Sequence, residues 1–474
     1  MMSRTLDAYG RTPIHCAAQE GHTEIVKALI ECTDNLDPNA QDINGVTAIH
    51  MAAQDGHTEI VRALIKCSDN PNAPDNKGVS TIYMAAQEGH NEIVKALIEC
   101  SEYPNAPNNN GSTPINVAAQ NGHAEVVKAL IVCSSNPNAP NNEGWTPIHR
   151  ASMNGHTKIV KDLTAFSDDP FAPNVAGVTP IHLAAKFGHI ETLKFLIEAV
   201  NDMMGCTDFC NAPSNNGWTP LHLAARFGHI EIVKVLIRCT ENPCVPNNEG
   251  WTPIHWAALN GYSEIVNVLI GCTENPCTPT NIGWTPIHLA ADSGYIEIVK
   301  NLIGCTETPC APNNEGCTPI HFAANNGHIE IVKILIGCTV SPNSPDITGV
   351  TPIHLAVNNG HIEIVKFLIG CTDKPCTPDN DGCTPIHFAA GKGHFEIVKT
   401  LIGCTDNPNS PNITGVTPIH LAATFGHIEI VKILIRCTDN PCAPTNSGWT
   451  PIHLAHQNGH TEIVKLLIPY LRRN

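Results

Sequence analysis

Positive charge is scarce in this chain. Its 474 residues include 27 lysines and arginines against 44 aspartates and glutamates, which gives a formal net charge of −17. Nucleic acids and anionic membranes attract proteins through basic surfaces, so an acidic chain is poorly suited to either. The composition argues against nucleic acid or an anionic membrane as the main partner and leaves a protein or peptide as the expected one.

Long apolar runs are also missing. No stretch approaches the roughly 18 apolar residues that a membrane-spanning helix needs. The opening residues 1–17 lack the apolar segment typical of a secretion signal and lead directly into the repeats described below. We therefore expect no membrane insertion and a location in the cytosol, with the nucleus as the alternative.

Recognisable catalytic motifs are absent as well. The sequence has neither a glycine-rich phosphate-binding loop nor a nucleophile–base pair outside its repeat pattern. No group of histidines and cysteines has the spacing of a closed zinc site. We predict that the chain is not an enzyme, uses no cofactor and holds no metal ion.

The chain consists instead of one unit repeated fourteen times. Each unit contains a Thr-Pro-Ile-His element or a variant of it, and eleven of the thirteen spacings between these elements are 33 residues, the others being 35 and 40. The first residues of the elements are Thr12, Thr47, Ser80, Thr113, Thr146, Thr179, Thr219, Thr252, Thr285, Thr318, Thr351, Thr384, Thr417 and Thr450. A constant period of this size is typical of a solenoid, in which each unit buries its apolar face against its neighbours.

Residues 217–250 show what one unit does. Thr219 is a good N-cap, Pro220 suits the first helical position, and His222 stands where its side chain can reach back to the cap. This first helix is short and is expected to end at Gly228. A second helix with a broad apolar face follows, before asparagine, proline and threonine residues form a loop.

The run Gly-x-Thr-Pro-Ile-His-x-Ala-Ala-x-x-Gly-His-x-Glu-Ile-Val-Lys-x-Leu-Ile resembles the ankyrin repeat. The resemblance covers residues 7–468 and implies an all-α fold, an ankyrin-repeat solenoid of stacked helix-turn-helix units with projecting finger loops. We expect one continuous, elongated solenoid of about fourteen repeats over residues 1–474, present as a monomer. A seven-residue insertion near residues 198–205 predicts that the second helix of the sixth repeat is about two turns longer than the others.

One departure from the ankyrin pattern recurs after the second helix. Where the family has Gly-Ala-Asp-x-Asn-Ala, residues 67–74 read Cys-Ser-Asp-Asn-Pro-Asn-Ala-Pro. Pro71 and Pro74 remove backbone hydrogen-bond donors. The finger loops are therefore expected to be more extended and less sheet-like than those of the family.

The 21 cysteines follow the repeat. One set closes the second helices, and a second set lies five residues later, at Cys244, Cys277, Cys310, Cys376 and Cys442. The first interpretation is a small apolar residue at a packed helix end. The alternative is a Cys-x4-Cys disulfide or metal clip in five repeats, and the odd number of cysteines together with the missing secretion signal speaks against disulfides.

The 25 histidines also follow the repeat. Twelve belong to Thr-Pro-Ile-His elements, from His15 to His453, and twelve to Gly-His pairs, from His22 to His460; only His456 lies outside both sets. A side chain that recurs at one structural position points to the hydrogen-bonding scheme of the fold. We predict that these histidines are structural and not metal ligands.

The resemblance implies where a partner binds, because ankyrin proteins usually bind partners at the finger tips and on the concave face of the first helices. Five of the six tryptophans directly follow a turn glycine at a finger tip, and Trp256 lies on a first helix. Tryptophan and arginine are enriched in binding hot spots. The predicted partner-binding residues, in repeats five to nine, are Trp145, Arg150, Met153, Lys186, Phe187, Trp218, Arg226, Phe227, Trp251, Trp256 and Trp284.

This predicted patch is basic within an acidic chain, so we expect an acidic or extended protein or peptide partner. The main functional prediction is a non-enzymatic scaffold or adaptor for protein–protein interaction. The alternative interpretation of the tryptophans is structural: each packs on the adjacent finger and shields the stacked loops.

A second function is implied by the resemblance. An asparaginyl hydroxylase modifies a hairpin asparagine in some ankyrin proteins, and this chain would then be the substrate of such an enzyme. The loop residues that align with that asparagine are Asn39, Asn72, Asn105, Asn138, Asn211, Asn343 and Asn409.

Overall fold

The computed structural model describes residues 6–32, 37–205 and 208–471. The chain divides into two compact units, unit 1 (Met1–Pro243) and unit 2 (Cys244–Asn474). Each unit contains fourteen α-helices within the described ranges, arranged as seven consecutive helix pairs, and these ranges contain no β-strand. The predicted all-α, repeat-by-repeat architecture is confirmed. That the fourteen pairs form one continuous solenoid stays a prediction from the sequence.

The helices of unit 1 are α1 Pro13–Gln19, α2 Thr23–Cys32, α3 Ala48–Gln54, α4 Thr58–Ile65, α5 Thr81–Glu88, α6 Asn91–Ile98, α7 Pro114–Asn121, α8 Ala124–Ile131, α9 Pro147–Met153, α10 Thr157–Thr164, α11 Pro180–Phe187, α12 Ile190–Met204, α13 Pro220–Phe227 and α14 Ile230–Ile237. Those of unit 2 are α15 Pro253–Leu259, α16 Ser263–Ile270, α17 Pro286–Ser293, α18 Ile296–Ile303, α19 Pro319–Asn325, α20 Ile329–Ile336, α21 Pro352–Asn358, α22 Ile362–Ile369, α23 Pro385–Lys392, α24 Phe395–Ile402, α25 Pro418–Phe425, α26 Ile428–Ile435, α27 Pro451–Gln457 and α28 Thr461–Leu467. Two short 3-10 helices cover Asp208–Asn211 and Ile468–Tyr470.

Except in α3 and α5, which lack the proline, the first helix of each pair begins as the unit predicts. In α9, Thr146 is the extended N-cap residue and Pro147 occupies the first helical position. The Thr146 hydroxyl accepts a hydrogen bond from the backbone N–H of His149 at 3.3 Å, and His149 Nδ1 accepts one from the backbone N–H of Thr146 at 3.3 Å. This reciprocal cap satisfies donors that a helix start would otherwise leave unpaired.

The core of each unit lies between helix pairs. Odd-numbered first helices pack against the next first helix within the unit, as α9 does against α7 and α11, and second helices pack likewise. First helices contribute alanines such as Ala184 and Ala185, which are fully buried and small enough for close helix approach. Second helices contribute branched residues such as Ile159 and Leu163. Because no pair covers its own apolar face, neighbouring pairs stabilise one another.

The predicted insertion lengthens α12. This helix runs over 15 residues, Ile190–Met204, whereas α14 has 8. Val200, in the added part, is fully buried, and Met203 is 53% exposed. The extension by about two turns is therefore confirmed. Cys206, predicted to close this helix, lies outside the described residues.

The finger loops are linked without forming strands in the described ranges. The backbone N–H of Asn142 donates to the carbonyl oxygen of Asn110 in the preceding finger at 3.0 Å. The Asn142 side chain donates to the carbonyl oxygen of Asn109 at 3.2 Å. Isolated bonds of this kind agree with the prediction of fingers that are less sheet-like than the family pattern. No helix among the described residues combines the length and the apolar character required to cross a bilayer.

Candidate functional site

Two imidazoles bridge neighbouring repeats, one to the finger tip of the next repeat and one to the first helix of the preceding repeat. His182 donates from Nε2 to the carbonyl oxygen of Trp218 in the next repeat at 2.9 Å. In the opposite direction, Nε2 of His189 donates to the carbonyl oxygen of Met153 in the preceding repeat at 3.0 Å. Equivalent bonds recur along both units, so the predicted structural role of the repeated histidines is confirmed. The described residues contain no group of three His, Cys, Asp or Glu side chains that could hold a metal ion.

The first-helix histidines are held in one neutral tautomer. Nδ1 of His182 accepts from the backbone N–H of Thr179 at 3.2 Å, so the ring proton must be on Nε2, which donates to Trp218. Burial lowers the pKa of His182 to about 4, and the same cause lowers the pKa of His149 to about 4. These rings are therefore neutral at physiological pH. Only the neutral ring can accept at Nδ1 and donate from Nε2 at the same time.

Five of the predicted residues in unit 1 are joined by contacts between cations and aromatic rings. Lys186 Nζ lies 5.1 Å from the ring centre of Phe187 and 5.9 Å from that of Phe227. The Arg226 guanidinium carbon lies 5.3 Å from the ring centre of Trp218 and 5.6 Å from that of Phe227. We call these five residues the cation–aromatic cluster. Phe187 and Phe227 are 44% and 41% exposed, so the cluster presents apolar rings and positive charge together.

The other predicted residues of unit 1 form a pair and a neighbour in the fifth repeat. The guanidinium of Arg150 lies 5.2 Å from the ring centre of Trp145. The indole N–H of Trp145 donates to a carboxylate oxygen of Glu143 at 3.1 Å, so an acidic group stands beside this cation. Met153 is half-buried in the last turn of α9.

The predicted residues of unit 2 pack mainly against other rings. Trp251 and Trp256 stack with their ring centres 4.5 Å apart, at an interplanar angle of 25°. The ring centre of Trp284 lies 4.5 Å from that of Phe322 in the next repeat. We call Trp251, Trp256, Trp284 and Phe322 the unit 2 aromatic group. All four side chains are half-buried, and unlike the cation–aromatic cluster this group includes no lysine or arginine.

The finger tryptophans also contact their own first helices. The ring of Trp218 lies 5.9 Å from the ring of His222, and that of Trp284 lies 5.9 Å from the ring of His288. Each ring is therefore held on one side by a histidine of its own first helix and remains partly exposed to solvent. The sequence does not identify Phe322 as a site residue. Its element Pro-Ile-His-Phe is one more variant of the repeat, and nothing in it indicates that the phenylalanine contacts Trp284 of the preceding finger.

The second set of cysteines contacts the next repeat and not the cysteine five residues earlier. Cys277 Sγ lies 3.7 Å from the carbonyl oxygen of Leu302, and Cys310 Sγ lies 3.5 Å from that of Leu335. Burial raises the pKa of both thiols to about 12. The cysteines whose side chains the structure describes are free thiols. A protonated, buried thiol is a poor metal ligand and a poor nucleophile, so this arrangement favours the packing interpretation over the clip.

The loop asparagines are engaged in the fold. Oδ1 of Asn138 accepts from the backbone N–H of Ile148 at 3.2 Å, and Oδ1 of Asn409 accepts from that of Ile419 at 3.0 Å. Asn138 and Asn409 are 5% and 6% exposed. Each ties its loop to the start of the following first helix. The hydroxylase alternative stays a prediction, and an enzyme acting on these side chains would first have to free them.

Comparison with protein families agrees with this architecture. The family model described as ankyrin repeats (3 copies) matches ten overlapping stretches, which together run from residue 2 to residue 473. No curated protein matches the chain in sequence. Ankyrin repeats are generally modules for protein–protein interaction, and the family is typically non-enzymatic. With helix pairs repeating throughout both units and the family model matching almost every residue, the chain belongs to the ankyrin-repeat family.

Proposed function

We propose that this chain is a non-enzymatic scaffold or adaptor that binds a protein partner through the cation–aromatic cluster of unit 1. The observation that carries the proposal is the exposure of Phe187 and Phe227 between Lys186 and Arg226. Exposed aromatic rings beside cations are typical of binding hot spots, because they offer apolar area together with directional charge.

The cluster is fixed before a partner arrives. Phe187 and Phe227 occupy the last turns of α11 and α13, and a left-handed glycine follows each helix. The carbonyl oxygen of Lys186 accepts a hydrogen bond from His229 at 3.0 Å. Binding by residues that are already ordered loses less conformational entropy, which favours affinity.

The charge of the cluster indicates the partner. Lys186 and Arg226 lie on neighbouring first helices of a chain whose net charge is −17. A partner carboxylate would meet favourable potential here and repulsion over the acidic remainder of the surface. We infer that the partner presents an acidic, extended segment whose apolar side chains contact the two phenylalanine rings.

The remaining predicted residues supply further contacts in this proposal. Trp145, Arg150 and Met153 would add a third cation, a fourth ring and a flexible apolar side chain within unit 1. The unit 2 aromatic group would add apolar surface alone, since its rings are half-buried against one another. We therefore expect smaller losses of affinity from substitutions in that group than from substitutions in the cluster.

Removing the cluster is expected to remove the partner. The variant Lys186→Ala/Arg226→Ala/Phe227→Ala deletes two cations and one exposed ring, and it leaves the buried core unchanged. Hot-spot residues typically contribute about 2 kcal/mol or more each, and losing one of them already corresponds to roughly 30-fold. Capture of the partner from a cell lysate should therefore fall by more than that factor. Quantitative mass spectrometry of proteins captured by equal amounts of immobilised wild type and variant measures this fall.

The matched control is Lys77→Ala/Tyr103→Ala. It removes an exposed cation and a ring that is 68% exposed from other finger loops of unit 1. The control should capture the same proteins as the wild type. If the cluster variant and the control capture identical sets in equal amounts, the proposal is wrong.

A further inference from the structure

Unit 2 has a pocket that takes no part in the cation–aromatic cluster. It has a volume of about 440 Å³ and lies along the first helices α21, α23 and α25. Its lining includes Phe388, Gly391 and Lys392 of α23 and Leu421 and Phe425 of α25. We call it the Gly391 pocket.

The pocket exists because one side chain is missing. At the position of Gly391, the other first helices of unit 2 carry Leu259, Asp292, Asn325, Asn358, Thr424 and Gln457. Glycine inside a helix is less favourable than alanine. The atoms nearest to a Cβ at residue 391 in the neighbouring repeat would belong to Leu421 and Phe425, at 3.8–3.9 Å, which is ordinary van der Waals contact. Packing therefore does not require glycine here, and its effect is to leave the space open.

The walls of the pocket are held in place. The ring of Phe388 meets the ring of His354 edge to face, with centres 5.4 Å apart. The ring of Phe425 stacks with that of His427 at 6.4 Å, and His427 Nε2 donates to the carbonyl oxygen of Gly391 at 3.2 Å. Phe425 nevertheless remains 58% exposed. An exposed ring held beside an open space is a preformed apolar surface.

Among the described residues that line the pocket, Lys392 is the only lysine or arginine. Lys392 is exposed, and it is the only lysine or arginine on the first helices of unit 2, all of which are described. Six other lysines of unit 2 lie on second helices and pair with the glutamate three residues before them, as Lys366 does with Glu363 at 3.1 Å. Lys392 forms no ion pair with any described residue. Its ammonium group is available to a carboxylate of a ligand.

We propose that the Gly391 pocket binds one large apolar side chain of an acidic peptide segment, while Lys392 pairs with a carboxylate adjacent to that side chain. Phe388, Leu421 and Phe425 form the apolar walls, and Gly391 determines specificity by leaving room for the guest. The site is separate from the cation–aromatic cluster, so either proposal can fail without the other.

Fluorescence anisotropy with defined peptides tests the proposal on the full chain. The probes are four labelled hexapeptides, each with one Phe, Trp, Leu or Met among aspartates and glutamates. An alanine version and a version with lysine flanks complete the set. We expect the wild type to bind at least one of the four probes at least 10-fold more tightly than its alanine and lysine-flanked versions.

Filling the pocket should abolish this preference. Gly391→Leu is expected to weaken binding of the preferred probe at least 10-fold, and Lys392→Gln about 3-fold to 10-fold. Leucine occurs naturally at this register as Leu259, so the helix should accept it, and an unchanged thermal midpoint verifies the fold. The control Asn325→Leu introduces leucine at the equivalent position of α19, away from the pocket, and should bind like the wild type. No preference in the wild type, or equal binding by wild type and Gly391→Leu, overturns the proposal.

Discussion

Lowering the pH from 7 to 4 is expected to unfold the protein. Burial lowers the pKa of five first-helix histidines to about 4, namely His149, His182, His288, His321 and His387. In an unfolded chain the same side chains titrate near pH 6.5. Between these values the unfolded state binds protons that the folded state cannot. This part of the stability is fully present above about pH 6.5 and is lost as the pH falls towards 4.

The expected effect is large because the histidines act together. Each contributes about 3 kcal/mol to the loss of unfolding free energy between these two pH values. Five such losses are comparable to, or larger than, the ~5–15 kcal/mol that ordinarily stabilises a domain. Urea unfolding followed by circular dichroism at pH 7.5, 6.5, 5.5 and 4.5 should show a steady fall in the midpoint below about pH 6.5.

The fourth repeat supplies the matched control for this prediction. There, Asn116 takes the histidine position: its Oδ1 accepts from the backbone N–H of Thr113 at 3.0 Å, and its Nδ2 donates to the carbonyl oxygen of Trp145 at 3.2 Å. An asparagine therefore makes both bonds without titrating. Changing all five histidines to asparagine should reduce the fall in stability. The part that remains is expected from other first-helix histidines whose pKa burial also lowers, such as His15 and His354. An unchanged pH dependence would show that other groups cause it.

Gly327→Ala is expected to destabilise unit 2 by about 3 kcal/mol. Gly327 has a φ of +83°, where an alanine costs roughly 1–2 kcal/mol. Its Cβ atom would also lie only 2.8 Å from Cε1 of His361. That ring would have to move, and its hydrogen bond to the carbonyl oxygen of Asn325, now 3.0 Å long, would be lost. Urea unfolding at pH 7.5 measures the change in unfolding free energy.

Gly459→Ala separates backbone strain from steric conflict. Gly459 has nearly the same φ, +78°, but apart from its own chain neighbours no described residue has an atom within 4 Å of the position of its Cβ. This substitution should cost only the roughly 1–2 kcal/mol of the left-handed backbone. In a His361→Ala background, Gly327→Ala should cost a similarly small amount, because the ring is gone. Equal costs for the two alanines in the wild-type background would contradict the bridging role of His361.

The local structure of each repeat could be predicted from the sequence because its interactions are short in range. Thr219, Pro220 and His222 cap their helix within four positions, and Gly228 ends it in the left-handed conformation. The insertion that lengthens α12 could be predicted for the same reason, since residues near 198–205 continue the apolar face of the helix that precedes them.

The surface of the candidate sites could not be predicted in the same way. The contact of Trp284 with Phe322 depends on how far one repeat is offset from the next, and the repeat pattern does not encode that offset in any single residue. Likewise, Gly391 is one more variable position in the sequence. A pocket forms beside Gly391 only because Leu421 and Phe425 of the following repeat make its opposite wall.

Repetition explains how one chain can combine a fixed scaffold with the two binding surfaces proposed here. The histidines and alanines recur at the same positions and hold neighbouring repeats together, whereas the two residues before the glycine that follows each first helix vary from repeat to repeat. The cation–aromatic cluster and the Gly391 pocket both use these variable positions, at Lys186 and Phe227 in one case and at Gly391 in the other.

The most direct test of the proposed function is the dissociation constant of the captured partner, measured by isothermal titration calorimetry with purified proteins. We expect Lys186→Ala/Arg226→Ala/Phe227→Ala to weaken binding by about 100-fold or more relative to the wild type. Lys77→Ala/Tyr103→Ala should bind as the wild type does, and all three proteins should unfold at the same temperature. A dissociation constant that stays within threefold of the wild-type value in the cluster variant would contradict the account.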